Sequence, residues 1–110
     1  MPMLERIETA LTKHLARADS PSSPPQLVMA MHHAVFPGGA RIRPQLCLAV
    51  SLACGDNAPE LTNAAACAIE LMHCASLVHD DMPCFDDADT RRGQVAVHKA
   101  FGEPLALLCG

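Results

Sequence analysis

The longest apolar tract of the chain, DNAPELTNAAACAIELMHCASLVHDDM, runs from Asp56 to Met82 and constrains the fold more than any other segment. It is the longest helical candidate, over about 59–82, and it is apolar nearly all round, which predicts a helix in the middle of a bundle. Its C-terminal end runs straight into aspartates. Five of the chain's twelve acidic residues fall within HDDMPCFDDADTRRG, His79–Gly93, and two arginines follow them. Like charges repel, and the helix dipole already places partial negative charge at that end. Carboxylates so placed call for a cation.

The other segments agree with a helical frame. Leu4, Ile7, Leu11 and Leu15 recur at helical spacing and predict an amphipathic helix over 3–18. ADSPSSPP is a loop, and Pro24-Pro25 opens a second helix over about 25–35. FPGGARIRP interrupts the pattern, and PQLCLAVSLAC, residues 44–54, predicts a buried helix stopped by Gly55. The three Phe, with no Trp or Tyr, leave a core of Ala, Leu, Val, Ile and Met, which suits helix packing better than a sheet. The expected class is all-α.

Several function classes are disfavoured. A net charge of −4 argues against nucleic acid, which demands a basic footprint. The six cysteines form no CxxC pair, so zinc knuckles are set aside, and reduced cysteines acting as small hydrophobes are expected. MPMLERIETALTKHL is not a secretory signal, and no apolar run reaches the roughly 20 residues of a membrane span. A cytoplasmic protein is expected. The sequence stops at Gly110 while still apolar, so a fragment is expected as well.

The chemistry gathers at the aspartates. Asp80 and Asp81 follow His73 by seven and eight residues, so the trio is expected on one helix face. Asp86 comes after MPCF, which can loop a third carboxylate back. Oxygen donors suit Mg²⁺, which takes one or two carboxylates plus substrate phosphates. Arg91 and Arg92 supply guanidinium forks that match phosphate. The expected ligand is a phosphorylated or diphosphorylated small molecule; a solvated acidic loop is the bland alternative. No register fits an EF-hand. In GGARIRP, residues 38–44, two glycines would let backbone approach a ligand while Arg41 and Arg43 add charge, giving a second phosphate site or a plain helix-joining turn. His79 with His73 offers a runner-up, an HD-type metal phosphohydrolase. His14, His32 and His33 read as surface residues, and packing accounts for His98 and Phe101.

GGARIRP, ELMHCASLVHDDMPCFDDADTRRG and VHKAFGE, in that order, resemble the trans-polyprenyl diphosphate synthases from about residue 30 onward. The wording is similar to bacterial geranylgeranyl diphosphate synthases of carotenoid pathways, and next to farnesyl diphosphate synthases. Asp80, Asp81 and Asp86 match the first aspartate-rich motif in its DDxxxxD form. The resemblance implies that residues 1–110 are the N-terminal helices of an isoprenoid-synthase bundle, incomplete, within a single domain. It implies Mg²⁺ held by Asp80, Asp81 and Asp86, with Arg91 on the allylic diphosphate. Arg92, Arg43 and His73 would hold isopentenyl diphosphate. The implied reaction is head-to-tail condensation, in which metal and arginine stabilise departing diphosphate. Relatives are usually homodimers. Ala40 stands where many relatives carry lysine, and Gln94-Val95 replaces the usual Lys-Pro. The second aspartate-rich motif of the family is absent, so this chain alone is expected to be inactive, and a non-catalytic prenyl-diphosphate-binding subunit is a further alternative. In the resembled family the tail runs down beside this helix. The small residues Ala75 and Ser76, five and four positions before Asp80, leave that path open and favour a C20 over a C15 product, or else simply allow close helix packing.

Overall fold

The apolar stripe of the first segment forms the buried edge of α1 (Met3–Ala16), where Ile7, Ala10, Leu11 and Leu15 are all inside, in a computed structural model that describes residues 2–110. α2 (Pro25–Val35) opens with proline at its first turn, where the missing N–H has no partner to lose. α3 (Ile42–Ala53) carries Pro44 in its own first turn, fully buried, and ends before Gly55, whose φ of 106° needs no Cβ. α4 (Pro59–Asp80) is the predicted long helix, ending two residues sooner than expected. Thr90–Arg91 and Gln94–Val95 then form a small antiparallel hairpin, β1 and β2, with Thr90 opposite Val95. Its two turn residues, Arg92 and Gly93, both have positive φ (55° and 78°), as tight hairpins with right-handed twist demand. α5 (Val97–Phe101) and α6 (Glu103–Cys109) follow, separated by Gly102 at φ 90°.

The extents of 44 × 33 × 19 Å make the assembly about two helix diameters thick. One core cluster joins α1, α3 and α4 through Ile7, Leu11, Leu48, Ala66 and Cys67, with Val35 at the edge. A second joins α2, α4, α5 and α6 through Ala30, Val78, Val97 and Ala106. α4 runs through both.

The expectation that α4 is enclosed on all sides needs correcting. It packs on α1, α2, α3 and α6, burying Ala66, Cys67, Glu70, Cys74 and Val78. Leu61, Ala65, Ala68, Ile69, Met72 and Ser76, at helical spacing, form an exposed stripe that ends at Asp80. The reading that no segment reaches membrane-span length is corrected too. By length and composition α4 does, with a mean hydropathy of 1.4 over its best window.

Candidate functional site

α4 stops at Asp80, and backbone hydrogen bonds fold the next residues back over its end. The amide of Asp86 donates to the Asp80 carbonyl at 2.9 Å, and that of Ala88 to the Asp81 carbonyl at 2.9 Å. The MPCF segment thus returns the third aspartate to the first, as its position suggested. The side chains diverge. Successive helical residues point about 100° apart, so Asp80 is exposed whereas Asp81 is buried, and Asp86, beyond the helix, is exposed as well. His73 is half-buried, so the three side chains of the His73, Asp80 and Asp81 trio differ in exposure.

Asp81 meets Arg91 in a two-pronged pair, Nη2 to Oδ1 at 2.5 Å and Nε to Oδ2 at 3.1 Å. The hairpin makes this possible, because β1 carries Arg91 back across the end of α4. Hydrogen bonding to Asp81 raises the Arg91 pKa, with Asp80 and Asp86 adding their charge. Arg92, in the strained left-handed region at φ 55°, turns the other way; a Cβ on Gly39 would lie 3.1 Å from its Nε.

The glycine–arginine segment divides its two arginines between different tasks. Arg43 is exposed on α3, and its Nη1 lies 3.3 Å from His73 Nε2. A guanidinium only donates, so His73 accepts as a neutral imidazole. Burial, then the Arg43 charge, hold the His73 pKa below its usual value; Glu70 opposes, and Arg92 and Arg91 add to the depression. Arg41, expected as a second phosphate contact, is instead wholly buried. Its Nε donates to Glu8 Oε1 at 2.8 Å, Nη1 to Glu70 Oε1 at 3.2 Å, and Nη2 to the Val35 carbonyl at 2.7 Å. Burial works against this charge, but Glu8 and Glu70 outweigh it, and the net shift of its pKa is upward.

Three neighbouring cavities share lining residues. Gly39, Ala40, Arg43, His73 and Arg92 line one of about 220 Å³, which Arg41 and Glu70 also border. Arg92 also borders a small cleft holding Arg91, Asp81 and Val78. Val78 in turn borders an apolar cavity of about 300 Å³ lined by Leu15, Met31, Leu71, Ala75 and Cys109. Ala75 lines this cavity as expected of a tail path. Ser76 instead faces outward and donates to the His73 carbonyl at 2.7 Å.

Glu70 went unread in the sequence. A lone carboxylate in the apolar run AIELMHC is itself a signal, since a buried charge needs a partner. His33 is more than a surface residue: its Nε2 lies 2.6 Å from the Val95 carbonyl, tying α2 to the hairpin. Gln94 donates to the Phe36 carbonyl at 3.4 Å, a second tie. His98 is buried with both ring nitrogens unpartnered. Cys67 and Cys74 are buried, and burial raises their pKa, so neither is an activated thiol.

Among the described residues no three His, Cys, Asp or Glu side chains converge as a ready-made metal cage. Mg²⁺ does not require one, because it takes one or two carboxylates and completes its shell with phosphate and water. The exposed carboxylates of Asp80 and Asp86 fit that donor set in kind. His79 does not join them: its Nε2 lies 3.3 Å from the Leu107 carbonyl.

Carboxylates and arginines at the end of the longest helix, beside an apolar cavity, define an all-helical protein of the isoprenoid-synthase class. The structure superposes on a geranyltranstransferase from Thermotoga maritima with a TM-score of 0.87 at 36% identity, over 97% of this chain and 38% of the other. The sequence profile described as Polyprenyl synthetase matches residues 24–110, and the chain belongs to that family. It is 58% identical to a geranylgeranyl diphosphate synthase of Rhodobacter capsulatus over 110 residues, all of this chain and 38% of that relative. It is 42% identical to a farnesyl diphosphate synthase of Geobacillus stearothermophilus over 106 residues, 96% of this chain and 34% of that relative. The chain thus spans well under half the length of the curated relatives it matches. Membership in the family removes the HD phosphohydrolase reading.

Proposed function

We propose that these residues are the N-terminal part of a single prenyltransferase domain that condenses isopentenyl diphosphate with an allylic diphosphate, giving geranylgeranyl diphosphate. The observation that carries the reading is that polar and apolar cavities lie side by side. A cationic pocket of Arg43, His73 and Arg92 adjoins the Asp81–Arg91 pair, and an apolar cavity lies beyond Val78. One end suits diphosphate, the other a hydrocarbon tail.

In this reading Arg43, Arg92 and His73 bind the diphosphate of isopentenyl diphosphate, the guanidiniums by charge and His73 by its ring nitrogen. Arg91, Asp80, Asp81 and Asp86 serve the allylic diphosphate. Mg²⁺, held by Asp80, Asp81 and Asp86, would supply neutralising charge for the leaving diphosphate. Asp81 is paired with Arg91, so it would help hold the ion only with that pair open, which would leave the Arg91 guanidinium for the same diphosphate. The Ala75 side of the cavity orients the tail and excludes water from it. α4 is then a wall of the reaction chamber through its Ala75 and Val78 side. The compartment is cytoplasmic and the assembly a homodimer. The Geobacillus relative favours one second reading, a farnesyl product, which product length separates from the first.

The test joins residues 1–110 to the remainder of the Rhodobacter capsulatus relative. This chimaera should incorporate labelled isopentenyl diphosphate only with Mg²⁺ present. Asp80→Asn and Asp86→Asn should each cut kcat about 10²-fold or more without moving Tm, because both side chains are exposed. A fully active D80N/D86N double variant would overturn the metal assignment. An inactive, folded chimaera would favour a diphosphate-binding subunit without catalysis. Sedimentation checks the dimer.

A further inference from the structure

We infer that Arg41 is a positioning residue, and that the buried Glu8–Arg41–Glu70 cluster sets the geometry of the cationic pocket formed by Arg43, His73 and Arg92. Arg41 borders the same cavity as Arg43, His73 and Arg92, but its guanidinium is committed to protein partners. Its side chain is fully buried and reaches three separate elements: Glu8 on α1, Glu70 on α4 and the Val35 carbonyl at the end of α2. The guanidinium also lies 5.7 Å from the Phe36 ring centroid. Only a guanidinium offers donors in these directions at once, so the cluster fixes the loop from both sides.

The loop is shaped around that side chain. A Cβ on Gly38 would overlap the Arg41 guanidinium, so the first glycine makes room for arginine rather than for a ligand. Arg41 itself stands at φ 54°, a left-handed conformation that is unfavourable for a non-glycine residue and persists only when its surroundings enforce it. The anchored backbone then delivers the pocket. Arg43 follows two residues later and meets His73, which lies on α4 one turn beyond Glu70. Gly39, one residue after Gly38, packs on the Arg92 side chain. Glu70 and Arg41 thus reference the loop to the same helix that carries His73.

The inference rests on the reading of this pocket as the isopentenyl diphosphate site, and the experiment separates the two. Glu8→Gln and Arg41→Lys are made in the chimaera, and the His73 titration is followed by NMR alongside steady-state kinetics. Glu8 is half-buried on the outer helix, so E8Q keeps the fold even if R41K does not. In both variants the loop loosens, Arg43 leaves His73, and the His73 midpoint should rise toward the ordinary histidine value. KM for isopentenyl diphosphate should increase about tenfold to a hundredfold, while kcat and the allylic KM change little. An unmoved His73 midpoint in E8Q overturns the inference whatever the kinetics show, and so does an unmoved isopentenyl KM. A shifted midpoint in a protein whose unaltered form never uses isopentenyl diphosphate sustains the positioning role and sinks the substrate reading instead.

Discussion

His73 is where the site's charge becomes measurable. Burial and the Arg43 charge depress its pKa, so in the folded protein the ring stays neutral further into acid than a free histidine, whose pKa is about 6.5. The sign of the linkage follows. The unfolded chain takes up this proton first, so the stability contributed is complete above the ordinary histidine range and is lost as pH falls through the lowered value. An anion seated among Arg43, His73 and Arg92 cancels the repulsion and raises the His73 pKa. Diphosphate should therefore bind more tightly as pH falls between the raised and the lowered values. NMR titration of His73 with and without inorganic diphosphate checks this, and a midpoint indifferent to the anion would refute it. None of it was readable from spacing alone. Seven residues place His73 and Asp80 near one another on a helix, but they do not show that Arg43 is what His73 touches.

At the scale of elements, α4 decides where things go. Its position, its length and the acidic end were legible because twenty-two residues carry a strong signal and the helix runs into like charge. Which way each residue faces was not, because an all-round apolar helix has no preferred side until its neighbours choose one. The choice puts Ala75 on the apolar cavity and Ser76 outside, so only the first bears on tail length. Ala75 lies about 7.5 Å down the helix from Asp80 at ~1.5 Å per residue. Ala75→Phe in the chimaera should obstruct the cavity and move the main product from C20 to C15, read by chromatography of the dephosphorylated alcohols. Ser76→Phe, on the outward face, should do so less. Equal shortening by both would show that the tail runs along the exposed stripe. The hairpin is illegible for the opposite reason: two strands of two residues carry too little pattern.

For the molecule as a whole, the exposed apolar surface is the dominant fact. Ile42, Leu46 and Val50 lie at successive helical turns on α3, each more than half exposed, and α4 adds Leu61, Ile69 and Met72. Contiguous apolar area of this kind binds partners or itself. The 110-residue chain in isolation should bind a hydrophobic dye and associate with rising concentration. Leu46→Lys with Val50→Glu should reduce both, and the same pair in the chimaera should lower Tm by several degrees if the face is covered there. The class of fold was legible because composition, breakers and periodicity agreed; the openness of the outer faces was not, since a sequence names what is apolar and not what lies against it. The family profile begins at residue 24, past the end of α1, as though the first helix were mere padding. The ion pair from Glu8 to Arg41 says otherwise. Anyone trimming the leading helix would be sawing through a guy-rope, and the harm would surface not where the cut was made but where Arg43 meets His73.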